Sequence, residues 1–208
     1  MIFIRLVVSI FQTNCYILGC ENTHEALVID PGDNIEGIVE TLKRSHLSLV
    51  YILNTHGHID HTGGNGKLKE LTHAQILIHP ADVDLLKNAP AYAHTFGVNV
   101  HSSPDPDGLL SEGSIITVGE EIRLQVIHTP GHSPGSVSFF MDTMVFVGDT
   151  LFADSIGRTD LWGGSYELLI SSITSKLVPL GDDVRVYPGH GPETTIKREK
   201  KYNSFLNA

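Results

Sequence analysis

Four side chains of metal-ligand type stand within six positions of one another in the segment His56-x-His58-x-Asp60-His61. In an extended stretch, residues two apart point the same way, so His56 and His58 can offer imidazoles to one ion. Once the chain turns, Asp60 and His61 can face a second ion. Crowding three imidazoles and a carboxylate without an ion would leave unsatisfied and mutually repelling groups. The segment therefore predicts a metal centre rather than a packing role.

Three later residues extend this set of candidate ligands, namely His132, Asp149 and His190. Each directly follows a glycine in a loop beside a predicted strand, and glycine lets the backbone bend tightly toward a common point. The combined set of five histidines and two aspartates suffices for two three-ligand sites that share Asp149. Nitrogen and oxygen ligands without cysteine suit zinc, iron or manganese, and the residue types alone leave that choice open.

The loops that carry these side chains are bordered by short apolar runs, separated by turn signals, that predict strands. The predicted strands are residues 2–8, 14–18, 26–29, 49–54, 75–79, 114–118, 122–128, 136–140, 144–147 and 184–187. Helical spacing predicts helices at residues 35–44, 63–71, 80–87, 166–177 and 197–202. Residues 89–113 are rich in proline, glycine, serine and aspartate. A loop of roughly 25 residues is long for a compact domain, so we expect it to be functional or to contact a partner.

The pattern predicts clusters of antiparallel strands that alternate with helices in two similar halves of the chain. This order predicts an α/β fold in which two sheets pack face to face with helices outside. No linker-like segment divides the chain, so we expect a single domain over residues 1–208.

Composition and charge exclude several classes of protein. The chain of 208 residues is 41% hydrophobic and 18% charged, which is typical of a globular protein. A formal net charge of −10 disfavours a nucleic-acid partner. Two cysteines are too few for a disulfide framework, which favours the cytoplasm. The apolar opening, residues 1–11, is interrupted by Arg5 and is too short to span a bilayer, so we expect no membrane partner.

The histidine-rich loop and the later His, Asp and His resemble the signature of the metallo-β-lactamase fold superfamily over nearly the whole chain. The resemblance implies a four-layered αβ/βα sandwich and a single metallo-hydrolase domain. It implies that the first metal is held by His56, His58 and His132. It implies that the second is held by Asp60, His61 and His190, with Asp149 as the bridge. The implied cofactors are two divalent ions, with zinc first and iron or manganese as alternatives.

Further segments resemble the glyoxalase II group, the hydroxyacylglutathione hydrolases, and most closely its short bacterial members. These segments are Asn14-Cys15-Tyr16 and residues 148–152, 157–160 and 188–196. The resemblance implies a cytoplasmic, binuclear hydrolase of a small-molecule acyl thioester, with S-lactoylglutathione as the first candidate, acting as a monomer or homodimer. The predicted catalytic groups are Asp60 and a metal-bridging hydroxide held by Asp149, because two ions acidify a shared water and polarise a carbonyl.

The sequence departs from the glutathione enzymes at the predicted substrate contacts. Arg158 stands where they have a lysine that meets a substrate carboxylate, and a guanidinium can do this bidentately. Asp160 stands where they have a tyrosine that contacts the substrate, and Tyr166 is a third candidate contact. A structural ion pair between Arg158 and Asp160 remains an alternative to substrate binding. Only 18 residues follow His190, too few for the helical domain that helps those enzymes grip glutathione.

Two other functions compete with thioester hydrolysis. Persulfide dioxygenases share the histidine-rich loop and the Gly-Arg-Thr-Asp stretch, but they use one iron at the equivalents of His56, His132 and Asp149. The segment at residues 188–192 resembles the hydrolases and favours them over such an oxygenase. The further alternative is a non-catalytic scaffold that holds metal or binds a partner.

Overall fold

The computed structural model describes residues 1–95 and 103–207. Its first sheet has six strands in sequence order, β1 (Ile2–Val8), β2 (Thr13–Gly19), β3 (Glu25–Ile29), β4 (Ser48–Leu53), β5 (Gln75–Ile78) and β6 (Gly108–Leu109). The strands β1 to β3 are antiparallel neighbours, whereas β3 to β6 are parallel neighbours. The sheet is therefore mixed, and not the antiparallel cluster that adjacent short runs suggest.

The second sheet also has six strands and is joined by a small two-stranded ribbon. Its strands in sequence order are β7 (Ile115–Val118), β8 (Ile122–His128), β9 (Val137–Met141), β10 (Met144–Gly148), β13 (Arg185–Pro188) and β14 (Thr194–Thr195). The ribbon is formed by β11 (Leu151–Phe152) and β12 (Ser155–Ile156). In the sheet, β10 lies parallel to β13, so the chain leaves both strands at the same edge.

The helices are α1 (Ile35–Arg44), α2 (Ile59–Thr62), α3 (Asn65–Thr72), α4 (Val83–Thr95), α5 (Tyr166–Ser172) and α6 (Ile196–Tyr202). Helix α1 buries an apolar face that includes Ile35, Ile38 and Leu42. It carries Glu36 in its first turn and Lys43 and Arg44 in its last, charges that complement the helix dipole.

Three apolar clusters separate four layers. The central cluster joins both sheets through residues such as Leu27 of β3, Val126 of β8 and Phe139 of β9. The second cluster packs the outer face of the first sheet against α1 and α3. The third packs the second sheet against α5, where Leu169 is fully buried. The order is therefore helix, sheet, sheet, helix, because each sheet buries one face on its partner and the other under helices.

Several predicted elements differ from the structure. Strand β6 lies inside the predicted loop 89–113, and α5 ends at Ser172, after which the chain continues as a π-helix to Leu177. Residues 89–95 were expected in an irregular loop, but they continue α4 to Thr95, and this part of the prediction is wrong. Residues 96–102 of that loop lie outside the described residues.

The helix predicted at 63–71 is α3, which begins two residues later at Asn65, whereas the short helix α2 lies in the segment predicted as a loop. Gly63 and Gly64 separate the two helices, and Gly64 packs against the carbonyl of Pro31.

Within the described chain, no helix combines the length and the apolarity needed to cross a bilayer.

The His79 and His128 rings stack on each other at the end of β5 and β8, with 4.1 Å between ring centroids. Burial, and then the neighbouring His128, lowers the pKa of His79 from 6.5 to about 4. Between these values the unfolded chain binds a proton that the folded chain does not, so folding stability falls as pH falls through this window. The loss is complete below about pH 4.

We therefore expect the melting temperature of His79→Gln to fall less than that of the wild type as pH falls. The measurement is the melting temperature of wild type and variant from about pH 7.5 to about pH 5. The exposed His24, changed by His24→Asn, is the control. An equal loss of melting temperature in wild type and His79→Gln would contradict the prediction.

Candidate metal centre

The seven candidate ligands meet at one edge of the sandwich. The loops that carry them follow the carboxyl ends of β4, β8, β10 and β13. The loop after β4 places His56 and His58, and the short helix α2 then turns Asp60 and His61 toward the same edge. Parallel pairing of β10 with β13 brings the segments after these strands side by side. Gly189 packs against both Asp149 and His61, an approach that any larger residue would obstruct.

Three imidazoles form the first half of the cluster. Nδ1 of His58 lies 2.9 Å from Nε2 of His132, which lies 3.2 Å from Nε2 of His56. His56 and His132 are buried, whereas His58 is partly exposed. Three nitrogen atoms that point at one small space could together hold a single metal ion.

The second half combines two imidazoles with a carboxylate. Nε2 of His190 lies 3.3 Å from Nε2 of His61 and 3.1 Å from Oδ2 of Asp60. Asp149 lies between the two halves. Its Oδ1 is 3.4 Å from Nε2 of His61, and its Oδ2 is 3.6 Å from Nε2 of His132. Asp149 is therefore placed where one carboxylate can serve two ions.

Backbone carbonyls determine which nitrogen of two imidazoles carries the hydrogen. Nδ1 of His132 donates to the carbonyl of Arg158 at 2.8 Å, and Nδ1 of His190 donates to the carbonyl of Phe11 at 3.1 Å. A carbonyl only accepts, so Nδ1 holds the hydrogen and Nε2 presents a lone pair to the cluster.

Asp30 orients two more imidazoles, and the sequence reading missed it. Its Oδ2 accepts a hydrogen bond from Nδ1 of His61 at 2.9 Å and another from the hydroxyl of Thr55 at 2.6 Å. That hydroxyl in turn accepts from Nδ1 of His56 at 3.0 Å. A carboxylate behind a metal-binding imidazole is a common supporting group. The only signal in the sequence is an aspartate at the Asp30-Pro31-Gly32 turn, directly after a predicted strand.

Burial and neighbouring charges shift the pKa values of the candidate ligands differently in the two halves of the cluster. Burial lowers the pKa of His56 and, together with His132, lowers that of His58 to about 4. Burial opposes ionisation of Asp149, but the charge of His61 outweighs it and holds the carboxyl pKa below its usual range. Burial alone would lower the pKa of His61, but nearby carboxylates, Asp60 first, raise it. An ion bound beside His61 replaces this proton, so metal binding weakens as pH falls.

The residues present fit a two-metal centre. Within the described chain, Oδ1 of Asp149 is a buried oxygen without a hydrogen-bond partner. A buried carboxylate oxygen left unpaired is costly, and a cation at this point would satisfy it. The converging lone pairs of the imidazoles supply the remaining donors.

Asp82 is a second buried acid that the sequence reading missed. It accepts hydrogen bonds from the backbone nitrogen of Gly57 at 2.8 Å, the hydroxyl of Ser133 at 2.6 Å and the backbone nitrogen of Gly135 at 2.6 Å. It therefore joins the loop of His56 to the loop of His132. Burial raises the pKa of Asp82, and these three donors oppose the rise. Nothing in the local sequence signals this role, because its partners are distant in the chain.

We expect Asp82→Asn to loosen the first half of the centre. An amide cannot accept from all three donors, so the variant should lose about 2 kcal/mol of unfolding free energy. Zinc should bind about tenfold more weakly. Denaturant unfolding of metal-free protein and zinc titration against a chelator measure the two effects. Asp84→Asn, at an exposed position nearby, is the control, and equal behaviour of both variants would refute this role of Asp82.

A cavity of about 660 Å³ opens above the cluster, and its lining includes His58, Asp60, His132, Asp149 and His190. Arg158 also lines it. Asp160 and Tyr166 are not among the described lining residues.

The structure brings Arg158 and Asp160 together as an ion pair at the surface. Nε and one terminal nitrogen of Arg158 each lie 2.7 Å from a different oxygen of Asp160. This contact matches the structural ion pair, which the sequence leaves open as an alternative to substrate binding. Tyr166 begins α5 and is 45% exposed.

Comparison with known proteins defines the class. The family model described as the metallo-beta-lactamase superfamily matches residues 8–190, so the chain belongs to this superfamily. The predicted four-layered α/β sandwich is therefore confirmed.

Three relatives illustrate the range of the class. The chain is 38% identical to hydroxyacylglutathione hydrolase GloC of Haemophilus influenzae, with 97% of this chain and 96% of that protein covered. The crystal structure of the BLEG-1 B3 metallo-beta-lactamase is 37% identical, with all of both chains covered and a TM-score of 0.92. The crystal structure of TTHA1623 in a di-iron-bound form is 35% identical, with a TM-score of 0.89, and covers 98% of this chain and 100% of its own.

Proposed function

We propose that this chain is a metal-dependent hydrolase of acyl thioesters, with S-lactoylglutathione as the reference substrate. The observation that carries the proposal is the convergence of the candidate ligands below one open cavity. The likeness to a hydroxyacylglutathione hydrolase over nearly the whole chain supports the choice of thioesters.

Two divalent ions are the proposed cofactors. The first would be held by His56, His58 and His132, and the second by Asp60, His61 and His190, with Asp149 between them. Such ions acidify water and polarise a carbonyl when bound. Zinc is the first choice, and the di-iron form of a 35% identical neighbour supports iron as the alternative.

Asp60 is the proposed proton acceptor of the reaction. Burial would raise the pKa of Asp60, but His61 and His190 lower it, so the carboxylate is ionised and lines the cavity. It is placed to accept a proton from the attacking water. A bond forms between the water oxygen and the acyl carbon, the carbon–sulfur bond breaks, and the sulfur leaves with the electron pair. A thiolate leaves without strong acid assistance, because thiol pKa values lie near 8.5.

A mononuclear iron oxygenase is the second candidate. Nε2 of His132 lies 3.2 Å from Nε2 of His56 and 3.6 Å from Oδ2 of Asp149, so these three can also surround one ion. Such an enzyme would consume oxygen and a persulfide instead of cleaving a thioester.

A panel of substrates separates the candidates. S-lactoylglutathione, a second acyl thioester, a lactone, a β-lactam and a persulfide are each incubated with metal-loaded protein, with and without chelator. We expect chelator-sensitive cleavage of thioesters. Oxygen uptake with the persulfide alone would support the oxygenase, and inertness toward the whole panel would support a metal-holding scaffold.

The remaining proposals concern location and partners. We propose a cytoplasmic protein, monomeric or homodimeric, that acts on a small molecule and binds neither nucleic acid nor membranes. The free and buried state of Cys15 and Cys20 supports a reducing compartment.

A further inference from the structure

The walls of the cavity differ in chemistry from its floor. We infer, on the basis of the proposed thioester hydrolysis, that the preferred substrate joins an apolar acyl group to a thiol that carries no carboxylate. The floor supplies the reactive carboxylates and imidazoles, whereas the walls and the surface ion pair select the two arms of the thioester.

The walls are made by large apolar side chains. Six of them are Phe11, Ile59, Leu85, Phe152, Leu161 and Trp162. Trp162 is 58% exposed and Phe11 is 39% exposed, so two large aromatic side chains that line the cavity are accessible to a ligand. Large apolar side chains held at a concave surface are typical of a site that covers an apolar ligand.

The size of the cavity agrees with an acyl group longer than lactoyl. A lactoyl group has a single methyl group as its apolar part, and its hydroxyl needs a hydrogen-bond partner once it leaves water. A straight hydrocarbon chain would instead bury itself against the rings of Trp162 and Phe11. The cavity of about 660 Å³ has room for such a chain above the cluster.

The charges near the cavity disfavour glutathione as the thiol. Glutathione carries two carboxylates that need cationic partners. Among the described residues that line the cavity, Arg158 is the only lysine or arginine. One edge of its guanidinium, Nε and one terminal nitrogen, already binds both oxygens of Asp160 at 2.7 Å. An anionic thiol therefore meets a cation whose charge is partly balanced and competes with this carboxylate for it. The net charge of −10 opposes its approach as well.

Four thioesters test both arms of the substrate. They combine either a hexanoyl or a lactoyl group with either N-acetylcysteamine or glutathione. For each we measure kcat/KM of the metal-loaded protein and divide it by the rate constant for hydrolysis of the same thioester by hydroxide. This division removes the intrinsic reactivity of the acyl group.

The expected order is set by the walls and the ion pair. Hexanoyl thioesters should exceed lactoyl thioesters by about tenfold on either thiol, and N-acetylcysteamine should exceed glutathione with either acyl group. A lactoyl value equal to or above the hexanoyl value refutes the apolar acyl group. A glutathione value equal to or above that of N-acetylcysteamine refutes the uncharged thiol. Cleavage of none of the four refutes the proposed function itself.

Two pairs of variants connect these preferences to the residues. Trp162→Ala should reduce the hexanoyl preference by about fivefold, because it removes an apolar wall. Leu168→Ala is the control, since Leu168 is 52% exposed and is not among the described lining residues. An unchanged preference in Trp162→Ala would overturn the role of this wall.

Asp160→Asn should free Arg158 for a substrate carboxylate. The ratio of glutathione to N-acetylcysteamine thioester turnover should then rise about threefold, mainly through a lower KM for the glutathione thioester. Asp142→Asn removes the same charge at an exposed turn and should not change the ratio. A ratio that falls or stays constant in Asp160→Asn would show that the ion pair does not select the thiol.

Discussion

Asp149→Asn should lose thioester hydrolysis by about three orders of magnitude and should retain less metal than the wild type. Asp149 lies between the two halves of the candidate centre, within 3.6 Å of Nε2 of His61, His132 and His190. The amide has nearly the same shape as the carboxylate but no negative charge. The variant would therefore pack normally, but both proposed ion sites would be weaker. The transition state of hydrolysis would lose several kcal/mol of stabilisation.

Elemental analysis after gel filtration and kcat/KM for S-lactoylglutathione measure the two effects. Asp142→Asn is the matched control, because it makes the same chemical change at an exposed turn. Wild-type metal content and activity in Asp149→Asn would show that Asp149 is not a bridge.

Gly189→Ala should also disrupt the centre, although it adds only a methyl group. A Cβ at this position would overlap Oδ1 of Asp149 and Cε1 of His61, which belong to two candidate ligands. Overpacking of this kind costs about 1–3 kcal/mol, and relief requires that a ligand side chain or the His190 loop move. We expect a lower melting temperature, loss of bound metal and at least a hundredfold loss of activity, because small displacements of catalytic groups have effects of about this size.

Gly37→Ala is the control for this methyl group. Gly37 lies inside α1, where the added Cβ meets only the end of the Asn34 side chain. Alanine favours the helix by about 0.5–1 kcal/mol relative to glycine, so this variant should be equally or more stable. Stable, metal-loaded and active Gly189→Ala protein would contradict the packing argument.

The candidate ligands could be predicted from the sequence because their signal is local. His56, His58, Asp60 and His61 form one dense segment, and His132, Asp149 and His190 each follow a glycine at the end of a strand. Likewise the strands at β1 and β8 have long apolar patterns, and both were predicted with the bounds that the structure shows.

Other parts of the site depend on contacts that no local pattern records. Asp82 reaches Gly57 and Ser133 only after the fold is complete. The short strands β11, β12 and β14 contain two residues each, too few to show a period. The continuation of α4 to Thr95 runs through Pro90, a residue that normally ends a helix.

The spacing of Arg158 and Asp160 left two roles open. Only the geometry distinguishes a guanidinium that faces the cavity freely from one that is already bound bidentately. This distinction changes the expected substrate, because a cation already paired with a carboxylate attracts an anionic thiol less than a free cation does.

We propose that these side chains form a two-metal centre that hydrolyses thioesters. The most direct measurement is a titration of metal-free protein with zinc, and separately with iron without oxygen, in which bound metal per chain and thioester hydrolysis are followed together. We predict that activity rises with bound metal, reaches its plateau at about two ions per chain and disappears with chelator. Full activity without metal, or binding that stops at about one ion per chain with no thioester cleavage, would contradict a two-metal thioester hydrolase.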